Sequence, residues 1–155
     1  MHITIDICTK GRYWTTLPLT LLSIINQTKF PNVIIIYDDN EFPLDLRINP
    51  LYQYLFILAF QKNIEYKVIF GGGKGQCIGH KIIQNLSKEL ILRVDDDEIL
   101  EPNVLEVLVT TMLENKDIGA VGGLIIDPKS NYKQLPLLAS NNIEDINLGL
   151  NIQWF

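Results

Sequence analysis

From Ile3 to Cys8 hydrophobic and polar positions alternate and favour a strand, which the polar run "TKGR" ends. Leu17, Leu21, Ile24 and Ile25 then recur at helical spacing and predict a helix within Tyr13 to Gln27, with Pro18 tolerable only in its first turn. "NVIIIYDDN" is nearly continuous, apolar and β-branched, and it ends in two acids. Such a run suits a strand covered on both faces, as in a parallel sheet. "NPLYQYLFILAFQKN" predicts a helix with Asn49 as cap and Pro50 at its first position. "EYKVIF" reads as a third strand leading into "GGGKG". A helix follows from Gln76 to Ser87, with Ile78, Ile82, Ile83 and Leu86 expected inward. "ELILRV" is a fourth strand, and Glu101 and Pro102 open a helix carrying Val104, Leu105, Leu108, Val109 and Met112. "IGAVGGLIID" reads as a fifth strand, where Gly122 and Gly123 allow close approach of a backbone or ligand.

Alternating strand and helix predict an α/β fold, a doubly wound and mostly parallel sheet. The pattern fades after Asp127. Residues 1–127 are therefore expected to form the domain, and 128–155 an irregular tail, either a loop folding over the sheet or the start of something longer.

Composition narrows the class. A chain of 155 residues, 47% hydrophobic and 20% charged, suits one compact globular domain. A net charge of −5 argues against nucleic acid as a partner, since phosphate contacts want a basic face. The N-terminus lacks the features of a signal peptide. The apolar runs "LPLTLLSII" and "YLFILAF" fall far short of the roughly 18 residues that a transmembrane helix needs, and a cytoplasmic protein is expected. With only Cys8 and Cys77, neither a disulfide framework nor an all-cysteine zinc site is possible, and both read as small core or loop residues.

The chemistry is signalled by acids. Ligands of open α/β sheets bind beyond the carboxyl ends of the strands, and here the first strand ends in "CTKGR", the second in "YDDN" and the fourth in "VDDDE". Mutual repulsion among these carboxylates is resolved by a hard divalent cation, Mg²⁺ or Mn²⁺, which takes oxygen ligands and often holds a phosphate. In an extended chain Asp95 and Asp97 would face one site and Asp96 would point elsewhere. The competing reading, acids favouring a helix N-terminus near Pro102, accounts for Glu101 and Glu98 but poorly for three preceding aspartates. "GGGKG" is not a phosphate-binding P-loop, because Gly75 stands where Ser or Thr is required and Val68 where the first Gly belongs. It is either a flexible turn or a loop that lets backbone and Lys74 approach a ligand.

Taken in order, "TKGRYWTTLPLTLLSIINQT", "VIIIYDDN", a glycine loop with its helix, and "LRVDDDEILEPNVLEVL" resemble family 2 glycosyltransferases of the GT-A fold, with their nucleotide-binding, Rossmann-like half. The likeness runs from about Ile3 to Asp127. It implies a nucleotide-sugar donor, most often UDP-linked, a divalent metal, and a saccharide, lipid or protein acceptor. By that resemblance Thr9 sits beside the nucleobase and Asp39 accepts from base or ribose, while Asp38 shapes the turn or shares that role. Asp95 and Asp97 are the acids of a DxD motif, on the ribose side and on the metal, with Asp96 between them at the donor. Arg12 is a candidate for base or phosphate contact, with a solvated loop residue as the alternative.

Two departures stand out. Where family members carry an "ARN" triplet, this chain reads "IGHKIIQN", so His80 stands in place of the Arg, with Lys81 beside it, and either could substitute for it at the donor. The carboxylate base of inverting members lies many tens of residues beyond the DxD, whereas Glu144 and Asp145 follow it closely and read as an exposed acidic turn. No catalytic base is therefore assigned, and the acceptor half is expected to be missing or much shortened. The leading expectation is a glycosyltransferase or its donor-binding domain. The alternatives are a non-catalytic nucleotide-sugar-binding fragment and a metal-dependent nucleotidyltransferase.

Overall fold

The computed structural model describes residues 1–123. The chain divides into two units, Met1–Val121 and Gly122–Phe155, and of the second only Gly122 and Gly123 are described. The expected tail at 128–155, including Glu144, Asp145, Trp154 and Phe155, lies outside the described residues.

The first unit is built on four strands, β1 (Ile3–Thr9), β2 (Val33–Asp38), β3 (Glu65–Phe70) and β4 (Leu90–Arg93), in the order β3-β2-β1-β4. All three pairings are parallel. β2, apolar up to its final Asp38, is buried at every residue, as its β-branched run requires. β3 lies at an edge and is half exposed.

Helices cover both faces. α1 (Leu17–Ile25), α2 (Pro50–Gln61) and α4 (Val104–Glu114) share one core with β1 and β2, which includes Ile5, Ile7, Leu21, Tyr52, Leu55, Leu105 and Val109. Pro18 takes the second position of α1, where its missing amide costs nothing. Asn49 caps α2 by accepting from the Leu51 amide at 3.0 Å, and Pro50 opens the helix. α3 (Gln76–Leu86) covers the opposite face, where Ile83 packs with Val33, Ile35 and Tyr37.

Three expectations are corrected. α3 buries Gly79 and Ile83, with Ile82 partly covered, whereas Ile78 and Leu86 are exposed. The helix meets the sheet along a narrow stripe, because at Gly79 it comes too close for a side chain: a Cβ there would lie 2.4 Å from Tyr37 and 2.8 Å from Cys8 Sγ. α4 starts at Val104, two residues after Pro102. Residues 118–123, the first part of the expected fifth strand, form no strand, since Gly119, Gly122 and Gly123 offer no side chains to pack against a neighbour. The remainder of that segment is outside the described residues.

Candidate functional site

The chain builds β1, β2 and β3 outward in one direction and then crosses to place β4 on the other side of β1. The order of strands thus reverses between β1 and β4, and the crevice beyond their carboxyl ends is where an open α/β sheet binds ligands. Thr9 ends β1, and Asp95 to Asp97 follow β4 within four residues of Arg93, so the topology alone brings them to this point.

The side chains meet there. Thr9 Oγ1 donates to Asp96 Oδ2 at 2.7 Å. Arg12 Nη2 reaches Asp97 Oδ2 at 3.5 Å, with both side chains about half exposed, a geometry that contributes little to stability. Asp95 to Glu98 are not extended. They form a turn closed by the Glu98 amide donating to the Asp95 carbonyl at 3.2 Å, while the Asp95 amide donates to Glu98 Oε2 at 3.2 Å. The extended backbone expected here is therefore corrected to a turn, in which Asp96 bonds to Thr9 while Asp95 and Asp97 are exposed. Burial raises the pKa of Glu98, and the Asp95 and Asp97 charges add to this against the opposing pull of the Asp95 amide.

The two acids after β2 are held differently. Asp38 is fully buried, accepting from the Tyr13 hydroxyl and from Asn40, whose amide and side chain lie at 3.0 and 2.7 Å. Burial first, and then the Asp38 hydrogen bond, push the Tyr13 phenol up to about 12. Asp39 is also nearly buried. Its amide donates to the Thr9 carbonyl at 2.9 Å, and both its carboxylate oxygens lie 3.0 Å from the Gly75 amide. Gly75, the N-cap of α3, holds φ 93° and ψ 151°, a conformation open in practice only to glycine. The glycine loop thus bends under Asp39, while Lys74 remains exposed.

Of the two α3 residues, His80 faces the sheet, its Nδ1 2.8 Å from Asp6 Oδ2 and 3.5 Å from Cys8 Sγ. Lys81 is exposed. The structure therefore brings Thr9, Arg12, Asp95, Asp96 and Asp97 together at the β1–β4 crevice and sets Asp38 and Asp39 beside Thr9. It places His80 one layer below.

The acidic turn has its own scaffold. Gln27 is buried beyond α1, where its Nε2 donates to the Glu101 carbonyl at 2.7 Å and its Oε1 accepts from the Leu105 amide at 2.9 Å. Ser23 Oγ accepts from the Leu100 amide at 3.1 Å, and the Thr28 amide donates to the Pro102 carbonyl at 2.7 Å. The polar positions of "SIINQT" thus fix the path from the acids into α4.

Comparison with known proteins accords with this fold. Residues 4–148 match the family described as Glycosyl transferase family 2. The chain belongs to glycosyltransferase family 2. Among solved structures, S. aureus TarS is similar at a TM-score of 0.52 and 18% identity, over 83% of this chain and 23% of TarS. S. aureus TarS 1–349 gives a TM-score of 0.57 at 16% identity, over 82% of this chain and 38% of the other. The same TarS portion in complex with UDP gives 0.52 at 16% identity, with the same coverage. The chain thus spans well under half the length of these neighbours, and the likeness establishes the fold, an all-parallel GT-A-type sheet flanked by helices. No curated protein matches the chain by sequence.

Several residues that shape this crevice escape a sequence reading. Tyr13 and Gln27 act through hydrogen bonds to partners distant in sequence, which no local pattern announces. Asp6 did leave a signal, as a carboxylate in the middle of the otherwise uncharged "ITIDICT".

Proposed function

We propose that this chain is the donor-binding part of a glycosyltransferase and binds a nucleotide-sugar, a UDP-sugar, in the crevice beyond β1 and β4. The observation that carries this reading is the meeting of Thr9 with Asp96 at 2.7 Å, with the exposed Asp95 and Asp97 presented beside it. The UDP held by the TarS neighbour supports the choice of nucleotide.

In this reading Thr9 lies beside the base, and Asp39, fixed by Gly75, offers its carboxylate to base or ribose. Arg12 contacts the base or a phosphate, and Lys81, exposed on α3, is a further candidate cation for the donor. His80 is engaged by Asp6, so a donor contact through it would use its other ring nitrogen.

The donor set suits a hard cation. The Asp95 carboxylate carries no hydrogen bond among the described residues, and Asp97 has only the long contact to Arg12, so oxygen ligands are free for Mn²⁺ or Mg²⁺. When bound, such an ion would offset charge developing on the departing nucleoside diphosphate. The chain's own residues orient the nucleotide: the Thr9–Asp96 bond fixes one wall and the Asp39–Gly75 bond the other. Transfer to a saccharide, lipid or protein acceptor is proposed for the whole protein, with no general base assigned among the described residues.

The test is nucleotide selectivity in equilibrium binding with Mn²⁺ present. UDP should bind at least about tenfold more tightly than ADP, a difference of about 1.4 kcal/mol. Equal affinities, or binding of neither, would contradict the reading.

A further inference from the structure

Asp6 is a charged residue at the centre of β1, and it is 1% exposed. Its Oδ2 lies 2.8 Å from His80 Nδ1 and 3.5 Å from Arg93 Nε, while its Oδ1 is buried with no hydrogen-bond partner among the described residues. A buried carboxylate with one oxygen unpartnered is incompletely compensated, and a cation bound beside it would offset its charge. Cys8 lies two residues along the same strand, on the same face of the sheet. One ligand atom from each of Asp6, Cys8 and His80 lies within 4.8 Å of the others.

We propose that Asp6, Cys8 and His80 form a site for a borderline-soft divalent cation of the zinc class, on the α3 face of the sheet and separate from the acidic turn. The chemistry of the two places differs. Carboxylates alone suit Mg²⁺ or Mn²⁺, whereas one oxygen, one sulfur and one imidazole nitrogen suit Zn²⁺. The spacing also fits. Tetrahedral zinc with bonds of about 2.3 Å to sulfur and about 2.05 Å to nitrogen separates those two ligand atoms by about 3.5 Å. Cys8 Sγ and His80 Nδ1 are 3.5 Å apart. The Asp6–His80 distance must open by roughly half an ångström as the ion replaces their hydrogen bond. Ligation through Nδ1 leaves Nε2 to carry the ring proton.

Gly79 is what makes the approach possible, since any side chain there would strike Tyr37 and Cys8. The ion would pin α3 to β1. It would also fix Gly75, the start of α3, beneath Asp39. Three protein ligands leave the fourth position to water or another small donor.

The experiment uses the full 155-residue chain, freed of metal and titrated with Co²⁺, a probe whose spectrum reports both thiolate ligation and coordination number. The expected result is one Co²⁺ with thiolate-to-cobalt charge-transfer absorption and the intense visible bands of a four-coordinate ion, displaced by Zn²⁺. Cys8→Ser should abolish the charge-transfer band, and His80→Gln should weaken Co²⁺ binding at least about tenfold. Cys77→Ser should leave the spectrum unchanged, and so should Asp97→Asn, which separates this site from the acidic one. Absence of thiolate absorption in the unsubstituted chain under excess Co²⁺ would overturn the proposal whatever the variants do. So would a charge-transfer band that survives Cys8→Ser.

Discussion

The Thr9 hydroxyl, at the end of β1, donates to Asp96 Oδ2 at 2.7 Å across 87 residues of sequence. It ties the first strand to the turn after the fourth, at the place where the order of strands reverses. Thr9→Val keeps the shape of the side chain and removes the donor. It should cost about 1 kcal/mol of stability, measured by urea denaturation, and weaken UDP binding by roughly tenfold.

Gln27 braces the same turn from beneath. Gln27→Ala leaves the Leu105 amide and the Glu101 carbonyl without their partner in a buried setting, and should destabilise the chain by about 3 kcal/mol. Denaturant titration reads the loss directly. Exposed Gln84→Ala provides the comparison and should stay within about 0.5 kcal/mol of the parent.

Gly79→Ala drives a methyl group into Tyr37 and Cys8 and should cost about 1–3 kcal/mol by overpacking. Gly119→Ala, where a Cβ meets nothing within 4 Å, should be close to neutral. Thermal unfolding of the two variants checks the contrast.

Much of the fold can be read from the sequence, and the reasons are local. β2 shows itself by an unbroken β-branched run, and α2 by Asn49 and Pro50 at its start. The carboxyl-edge position of Thr9, Asp38, Asp39 and the three aspartates follows from alternation alone, because a parallel sheet puts every strand end on one edge. What could not be read depends on contacts made at long range. α3 looks amphipathic over Ile78, Ile82, Ile83 and Leu86, yet the depth of Gly79 decides which of these are covered. The turn at Asp95–Glu98 is closed by a single backbone hydrogen bond, while a four-acid run taken alone fits an extended chain equally well. The pairing of His80 Nδ1 with Asp6 likewise spans 74 residues of sequence and leaves no local signal.

Tyr13→Phe removes the hydroxyl that donates to Asp38 and accepts from the Leu44 amide at 3.2 Å. The loss should be about 2 kcal/mol at neutral pH, since the bond is to a buried carboxylate. The phenol's ordinary value is near 10 and the fold raises it to about 12, so its stabilising effect is complete below pH 10 and is lost as pH rises through 12. Equilibrium unfolding between pH 10 and 12 should therefore show a shallower decline in Tyr13→Phe than in the parent chain.

Calorimetric titration of UDP, with and without Mn²⁺, on this chain and on Asp97→Asn tests the central claim most directly. Binding that requires Mn²⁺ and falls at least about tenfold in Asp97→Asn is the predicted result, and it would set the nucleotide and its metal at the acidic turn. Binding that ignores Mn²⁺, is unchanged by the substitution, or fails in the parent chain under both conditions would contradict the donor site argued from Thr9 and the three aspartates.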